Sequence, residues 1–298
     1  MPDTAQIVPI AKVLNVTTDA LFGIETSTTE YDKEIAEIVK NKAIELRDST
    51  DSTAGAILAA DYVDSECEKN PYNYDILMRY VQYVAHLSRF ADFNNCFANE
   101  PEKWNAYVLK AINRGFQVIR YSNDQTLIDS VHFATAWIYI HNKEYDKAIE
   151  KANILIATSD ISENQKRQAN YILGKSYFDK KNYDEALKYF DICTSIDKSE
   201  TGAECGYYSS VCLYNLNKYD EAEEKVFEVS DKYNAYIYWT ARSFIILSDV
   251  YVAKDNAFQA KETLKSVIEN YPQEGEHYNN IIRDAQNKLD FINKESNE

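Results

Sequence analysis

The chain has 298 residues, of which 45% are hydrophobic, and only 7 Gly and 5 Pro, too few turn formers for an all-β fold. Its net charge of −16 works against broad binding to phosphate backbones and keeps a soluble surface dispersed. Cys67, Cys96, Cys193, Cys205 and Cys212 are odd in number and scattered, which argues against a disulfide framework and fits a reducing compartment.

Taken in chain order, residues 2–23 predict a short helix, a tight Asn15-Val16-Thr17 turn, a second short helix and a stop. Thr17 is the N-cap and Gly23 the C′ residue. Thr28 to about Asn70 reads as two more helices. Pro71 suits a first helical turn. A stripe of Ile76, Leu77, Tyr80, Val81, Val84 and Leu87 and another of Trp104, Val108, Ile112, Phe116 and Ile119 make residues 70–122 one divergent hairpin.

A phrase then recurs: Lys143-Glu-Tyr145-Asp146-Lys-Ala148, Lys181-Asn-Tyr183-Asp184-Glu-Ala186 and Asn217-Lys-Tyr219-Asp220-Glu-Ala222, with tyrosines 38 and 36 residues apart. A weaker copy, Asp255-Asn-Ala257-Phe258-Gln-Ala260, follows. A repeat of this period implies stacked helical hairpins, because one hairpin cannot bury its apolar face alone. Within a repeat, Leu173-Gly174 is followed by Tyr177, then Ala186 and Phe190, with Asp184 as a cap. The residues from Glu276 to Asn293 form a polar capping helix with Ile281, Ala285, Leu289 and Ile292 on its apolar face.

The Leu-Gly-x-x-Tyr, Ala and Phe positions resemble the tetratricopeptide pattern. The resemblance implies an all-α chain, a right-handed superhelix of helical hairpins. The later units keep Leu213, Ala222 and Val226, then Leu247, Ser248, Tyr251, Ala260, Leu264 and Pro272. Ser210 stands in the Gly place, and Ala152 replaces the bulky residue of the first unit. The head, with Pro2-Asp3, Ile10-Ala11 and Leu14-x-Val16-x-x-Asp19-x-Leu21-Phe22-Gly23, resembles the closing two helices of a Cro/repressor-type helix-turn-helix domain. That domain has about three more helices before this point, which include the groove-reading one. They are absent from this sequence, so no residue here is assigned a DNA contact. The expected organisation is a partial helix-turn-helix domain at 1–25, divergent hairpins at 28–128, four repeats at 129–272 and a cap at 273–298. Heads of this kind followed by such bodies resemble bacterial transcriptional regulators that bind a peptide or protein and often homodimerise. DNA would be reached only through the missing helices.

In such a fold the first helix of each unit lines a concave face. Opposite the packing positions it carries Phe133, Trp137 and Ile140, then Tyr171, Lys175 and Phe178, then Tyr207, Val211 and Tyr214, then Arg242, Ile245 and Asp249. This predicts an aromatic groove with two isolated cations, in which Lys175 or Arg242 would hold a carboxylate of a bound peptide. Aromatics at helical spacing are also ordinary core residues, and a repeat scaffold with no transcriptional role is the alternative reading. His86, His132, His141 and His277 form no ligand pair, with His141 facing solvent or the turn, and the Gly residues are isolated. We therefore expect no enzyme, no metal and no cofactor. No basic-then-apolar leader and no membrane-length apolar stretch is present, so a cytoplasmic chain without a membrane partner is expected.

Overall fold

The computed structural model describes residues 4–14, 18–21, 30–50, 53–87, 97, 100–158, 162–196, 199–271 and 278–295. Thr17, Phe22, Gly23, Cys96, Pro272 and His277 therefore lie outside the described residues. All regular structure among the described residues is helical. The chain divides into two compact units, residues 1–142 and 143–298.

The first unit contains α1 (Thr4–Val13), α2 (Thr18–Leu21), α3 (Glu30–Arg47), α4 (Thr53–Lys69), α5 (Tyr74–Leu87), α6 (Pro101–Tyr121) and α7 (Gln125–His141). On α1, Ala11 is buried while Ile10 and Val13, and Leu14 just after the helix, are exposed. Helices α3 to α7 share a core that includes Val39, Ala60, Val63, Ile76, Tyr80, Val84, Ala111, Val118 and Val131. Burying such side chains stabilises the fold by ~1.5–3 kcal/mol each. Gly115 lets α6 approach α7, because a Cβ there would stand 2.9 Å from Val131 Cγ1. Pro71 does not open α5. The buried Asn73 does, with Oδ1 accepting from Ile76 N (3.3 Å) and Nδ2 donating to the Asp32 carbonyl (2.9 Å). An amide supplies both a cap and a tether to α3, which a proline cannot.

The second unit contains α8 (Tyr145–Ala157), α9 (Glu163–Asp179), α10 (Tyr183–Ile196), α11 (Glu200–Asn215), α12 (Tyr219–Lys232), α13 (Ile237–Ala253), α14 (Ala257–Asn270) and α15 (Tyr278–Glu295). The repeated phrase marks the turn that opens each second helix. Lys143, Lys181, Asn217 and Asp255 all have φ between 57° and 61°, in the left-handed region. At Lys181 the turn closes by Lys181 N to Phe178 O (2.8 Å) and Asn182 N to Tyr177 O (2.9 Å). The pairs Asn217 to Tyr214 with Lys218 to Leu213, and Asp255 to Val252 with Asn256 to Tyr251, repeat it. This double backbone bond satisfies the last carbonyls of a helix, and it needs a left-handed residue, a conformation glycine adopts most cheaply. Here side-chain-bearing residues occupy it every time.

The alanines of the phrase, Ala148, Ala186, Ala222 and Ala260, are fully buried, as is Ala152. Tyr183 and Tyr219 are half-buried and pack on the last aromatic of the preceding helix, Phe178 (5.7 Å) and Tyr214 (6.0 Å). The cap of α10 is Asn182, whose Oδ1 accepts from Glu185 N at 3.4 Å, rather than Asp184, which is the second residue of the helix. There its charge still favours the helix N-terminus. Gly174 is where α9 meets α10, since a Cβ on it would come within 2.6 Å of the Phe190 ring. Ser210, in the corresponding place on α11, is buried and returns its hydroxyl to the Gly206 carbonyl (3.1 Å). Ile281, Ala285, Leu289 and Ile292 of α15 cover the end of the core beside α13 and α14.

Candidate functional site

The leading helices α9, α11 and α13 of the second unit are positioned by ordinary local signals. Ser162 and Gln165 form a reciprocal cap at the start of α9, with Gln165 N to Ser162 Oγ at 3.2 Å and Ser162 N to Gln165 Oε1 at 2.9 Å. Small residues, Gly174, Ser176, Gly206, Ser210, Ser243 and Ser248, face inward on these helices. The bulky residues are thereby left to the neighbouring faces.

The outcome is a continuous aromatic array. Phe178 meets Tyr208 edge-on at 4.9 Å, and Tyr208 stacks on Phe190 at 5.2 Å. Tyr207 lies 5.7 Å from Trp239, which meets Tyr238 at 4.8 Å. Two cations are set into it. Lys175 Nζ stands 4.4 Å from the Tyr208 ring centre and 3.5 Å from Asp179 Oδ1. Arg242 donates to the hydroxyls of Tyr207 (3.0 Å) and Tyr238 (3.2 Å) and lies over the Tyr207 ring at 5.0 Å. The expectation of isolated cations is thus corrected. Half-buried ammonium and guanidinium groups lose water and take up aromatic faces, hydroxyls and a carboxylate instead.

The remaining expected residues are also engaged. Tyr171 is buried and donates to Glu204 Oε1 at 2.5 Å. Burial first, and the Glu204 charge second, raise its phenol well above the ordinary tyrosine range, so it stays protonated at neutral pH. Tyr214 is half-buried beside Tyr219. Asp249 receives Lys288 of α15 through both oxygens, at 2.5 and 2.6 Å. Tyr207, Arg242, Ile245, Asp284 and Lys288 line a cavity of about 210 Å³ between α11, α13 and α15. In the first unit, Phe133 and Trp137 meet edge-on at 6.4 Å on α7, with Trp137 partly packed on that unit's core. His141 is half-buried rather than fully solvent-facing. Its ring meets Trp104 edge-on at 5.3 Å, and burial lowers its pKa.

Sequence reasoning missed Tyr208, Tyr238, Trp239 and Lys288. The aromatic doublets Tyr207-Tyr208 and Tyr238-Trp239 on successive leading helices were the available signal. It also missed a larger cavity of about 460 Å³ between α12, α13 and α14. Among the described residues no group of three or more His, Cys, Asp or Glu side chains is placed to hold a metal, and no helix is long and apolar enough to cross a membrane. Burial pushes the Cys67 and Cys212 thiols up to about 12, so both are protonated and unreactive at neutral pH.

Residues 141–229 match a family model described as anaphase-promoting complex, cyclosome, subunit 3, and residues 238–274 match a tetratricopeptide repeat model. Tetratricopeptide-type repeats are thus present in this chain, and the matched residues do not include the head. No curated protein matches the chain. Among solved structures, BtubC (BKLC) from P. vanneervenii aligns with a TM-score of 0.55 at 14% identity, covering 76% of this chain and 94% of that one. That likeness concerns the fold alone. YrrB, described as a TPR protein with an unusual peptide-binding site, aligns with a TM-score of 0.43 at 18% identity over 72% of this chain and 95% of its own. A tetratricopeptide repeat protein from Parabacteroides merdae ATCC 43184 aligns with a TM-score of 0.39 at 13% identity over 84% and 98%.

Proposed function

We propose that this chain is a protein-interaction module that binds a peptide or protein partner along the leading helices of its repeats. The observation that carries this reading is the array on α9, α11 and α13, in which Lys175 and Arg242 are held among Phe178, Tyr207, Tyr208, Tyr238 and Trp239. Aromatic and arginine side chains of this kind supply most of the energy at protein interfaces. Both cations keep donors beyond those used, and a partner carboxylate can exchange for the tyrosine hydroxyls on Arg242. Phe133 and Trp137 on α7 form a second contact surface within the first unit.

Capture of partners on immobilised wild-type chain and on Lys175→Gln/Arg242→Gln tests the reading, with helical content compared by circular dichroism. Recovery should fall sharply for the double variant. Equal recovery from two equally folded chains sinks the assignment.

A narrower reading adds a transcriptional role, as the body of a cytoplasmic, dimeric helix-turn-helix regulator. It is favoured by the resemblance over residues 2–23 and by Ile10, Val13 and Leu14, left exposed on α1 and the residue after it, where further helices would pack. The codons upstream of Met1 in the genome test it. An in-frame recognition helix supports the regulator, and a stop codon immediately upstream removes it in favour of the interaction module alone.

A further inference from the structure

We propose that the cavity between α12, α13 and α14 is a second binding site, taking a peptide segment with an aromatic or leucine anchor flanked by lysine or arginine. It lies among residues that the array does not use. Its volume of about 460 Å³ is of the size that encloses a small ligand or one large side chain with its neighbours. Phe227, Ile237, Phe244 and Tyr271 give it apolar walls, and Thr263 and Ser266 add hydroxyls on the α14 side. Phe227 and Phe244 meet edge-on at 6.4 Å, yet Phe227 remains 44% exposed and Ile237 48%. Two large apolar groups at the mouth of a concave site are the arrangement expected where a partner side chain completes the packing.

The charge around the mouth selects the partner. Glu262 is the charged residue that lines it. Helix α12 carries six carboxylates against Lys225 and Lys232. Both lysines are already engaged, Lys225 Nζ with Glu228 Oε2 of its own helix at 2.8 Å and Asp191 Oδ1 of α10 at 3.5 Å, and Lys232 Nζ with the Thr194 carbonyl of α10 at 2.6 Å. Glu224 and Asp231 stand exposed about one turn on either side of Phe227. Lys254, which follows α13, is paired with Asp220 and Glu223, and Lys265 of α14 with Glu262. An apolar hollow with an acidic surround favours a basic segment with an apolar anchor and disfavours an acidic one. It equally disfavours a second copy of this chain, whose net charge is −16.

Panning a phage-displayed random dodecapeptide library on the full chain tests this. Peptides enriched on the wild type should carry Phe, Tyr, Trp or Leu with Lys or Arg within two positions. One such peptide, made synthetically, should bind Phe227→Lys about tenfold more weakly, and Arg242→Gln within about twofold of wild type. Phe227 is exposed enough for lysine to be accommodated, and circular dichroism of the variant checks that it folds. No enrichment, enrichment of neutral or acidic peptides, or equal affinity for Phe227→Lys would overturn the proposal. Loss of affinity on Arg242→Gln alone would move the peptide to the array, ending this proposal and leaving the first reading standing.

Discussion

The joint that α12 makes with α10 and the joint that it makes with α14 occupy the same register of successive repeats. In the first, Asp191, eight residues after Tyr183, accepts from Ser209 Oγ at 3.0 Å and faces Lys225 Nζ. In the second, the residue eight after Tyr219 is Phe227, and the partner in register with Lys225, six after Ala257, is Thr263. A lysine can span a gap between helices and still find a carboxylate and a hydroxyl-bearing neighbour on the far side. A phenylalanine and a threonine cannot, and the second joint keeps a cavity. A repeat protein can thus hold its backbone pattern constant and convert one seam into a receptive surface by exchanging a single cross-helix pair.

The largest contrast is expected between two phenylalanines. Phe190 is fully buried against Gly174 and Tyr208, and Phe190→Ala should cost ~3–5 kcal/mol. Phe227→Ala, at the open joint, should cost less than about 1 kcal/mol. Urea unfolding monitored by circular dichroism measures both, and similar costs would mean that the second joint is as closed as the first. Next in size, Lys225→Met should lower stability by up to about 1 kcal/mol by removing the cation shared by the partly exposed Asp191 and Glu228, while Thr263→Met should be neutral or stabilising through partial filling of the cavity. A loss for Thr263→Met equal to that for Lys225→Met breaks the comparison.

Replacing a left-handed residue sharpens the backbone side of the argument. Lys181→Gly should raise stability by ~0.5–1 kcal/mol, and Asn217→Gly by less, because asparagine tolerates this conformation better than lysine. Thermal melts in which neither glycine stabilises would show that the turns are not strained.

The smallest effect is in pH. Lys225 is raised. Its burial pulls the ammonium pKa down, but the Glu228 hydrogen bond and the charge of Asp191 outweigh that. Its contribution is present below 10.5 and is lost as pH rises through the higher folded value. Glu223, beside the open joint, is lowered chiefly by the hydrogen bond from Lys254. Its contribution is present above 4.5 and is lost as pH falls through the lower folded value. The Tm of Glu223→Gln should therefore lie below wild type at pH 7, and the gap should close on acidification below pH 4.5. A gap that is constant with pH would show that Glu223 acts through packing rather than charge.

The architecture was legible because it rests on residue size at fixed intervals. Gly174, Ala186 and Phe190 declare a close crossing in any sequence where they recur at this spacing, and the structure sets Gly174 against the Phe190 ring with Ala186 fully buried. Helix starts were read less well, since Asn182 and Asn73 cap through amide geometry that Asp184 and Pro71 imitate in sequence. The array was half legible. Helical periodicity gives a face, but it does not say which of Tyr207 and Tyr208 turns toward Phe178 and Phe190. The cavity was not legible at all, because it is set by the distance between three helices. Its only trace in the sequence is the missing Asp-Lys pair.

The turns at Lys181, Asn217 and Asp255 carry one more implication. Each is closed by backbone bonds among its own residues. A cassette of 36 residues, the interval between Lys181 and Asn217, therefore brings its own punctuation wherever it is copied. Gene duplication or engineering can lengthen such an array by whole hairpins without composing a new loop, and the only novelty is one fresh seam. The residues that meet across that seam, a charged pair or an aromatic ring, then decide whether the longer array gains another brace or another mouth.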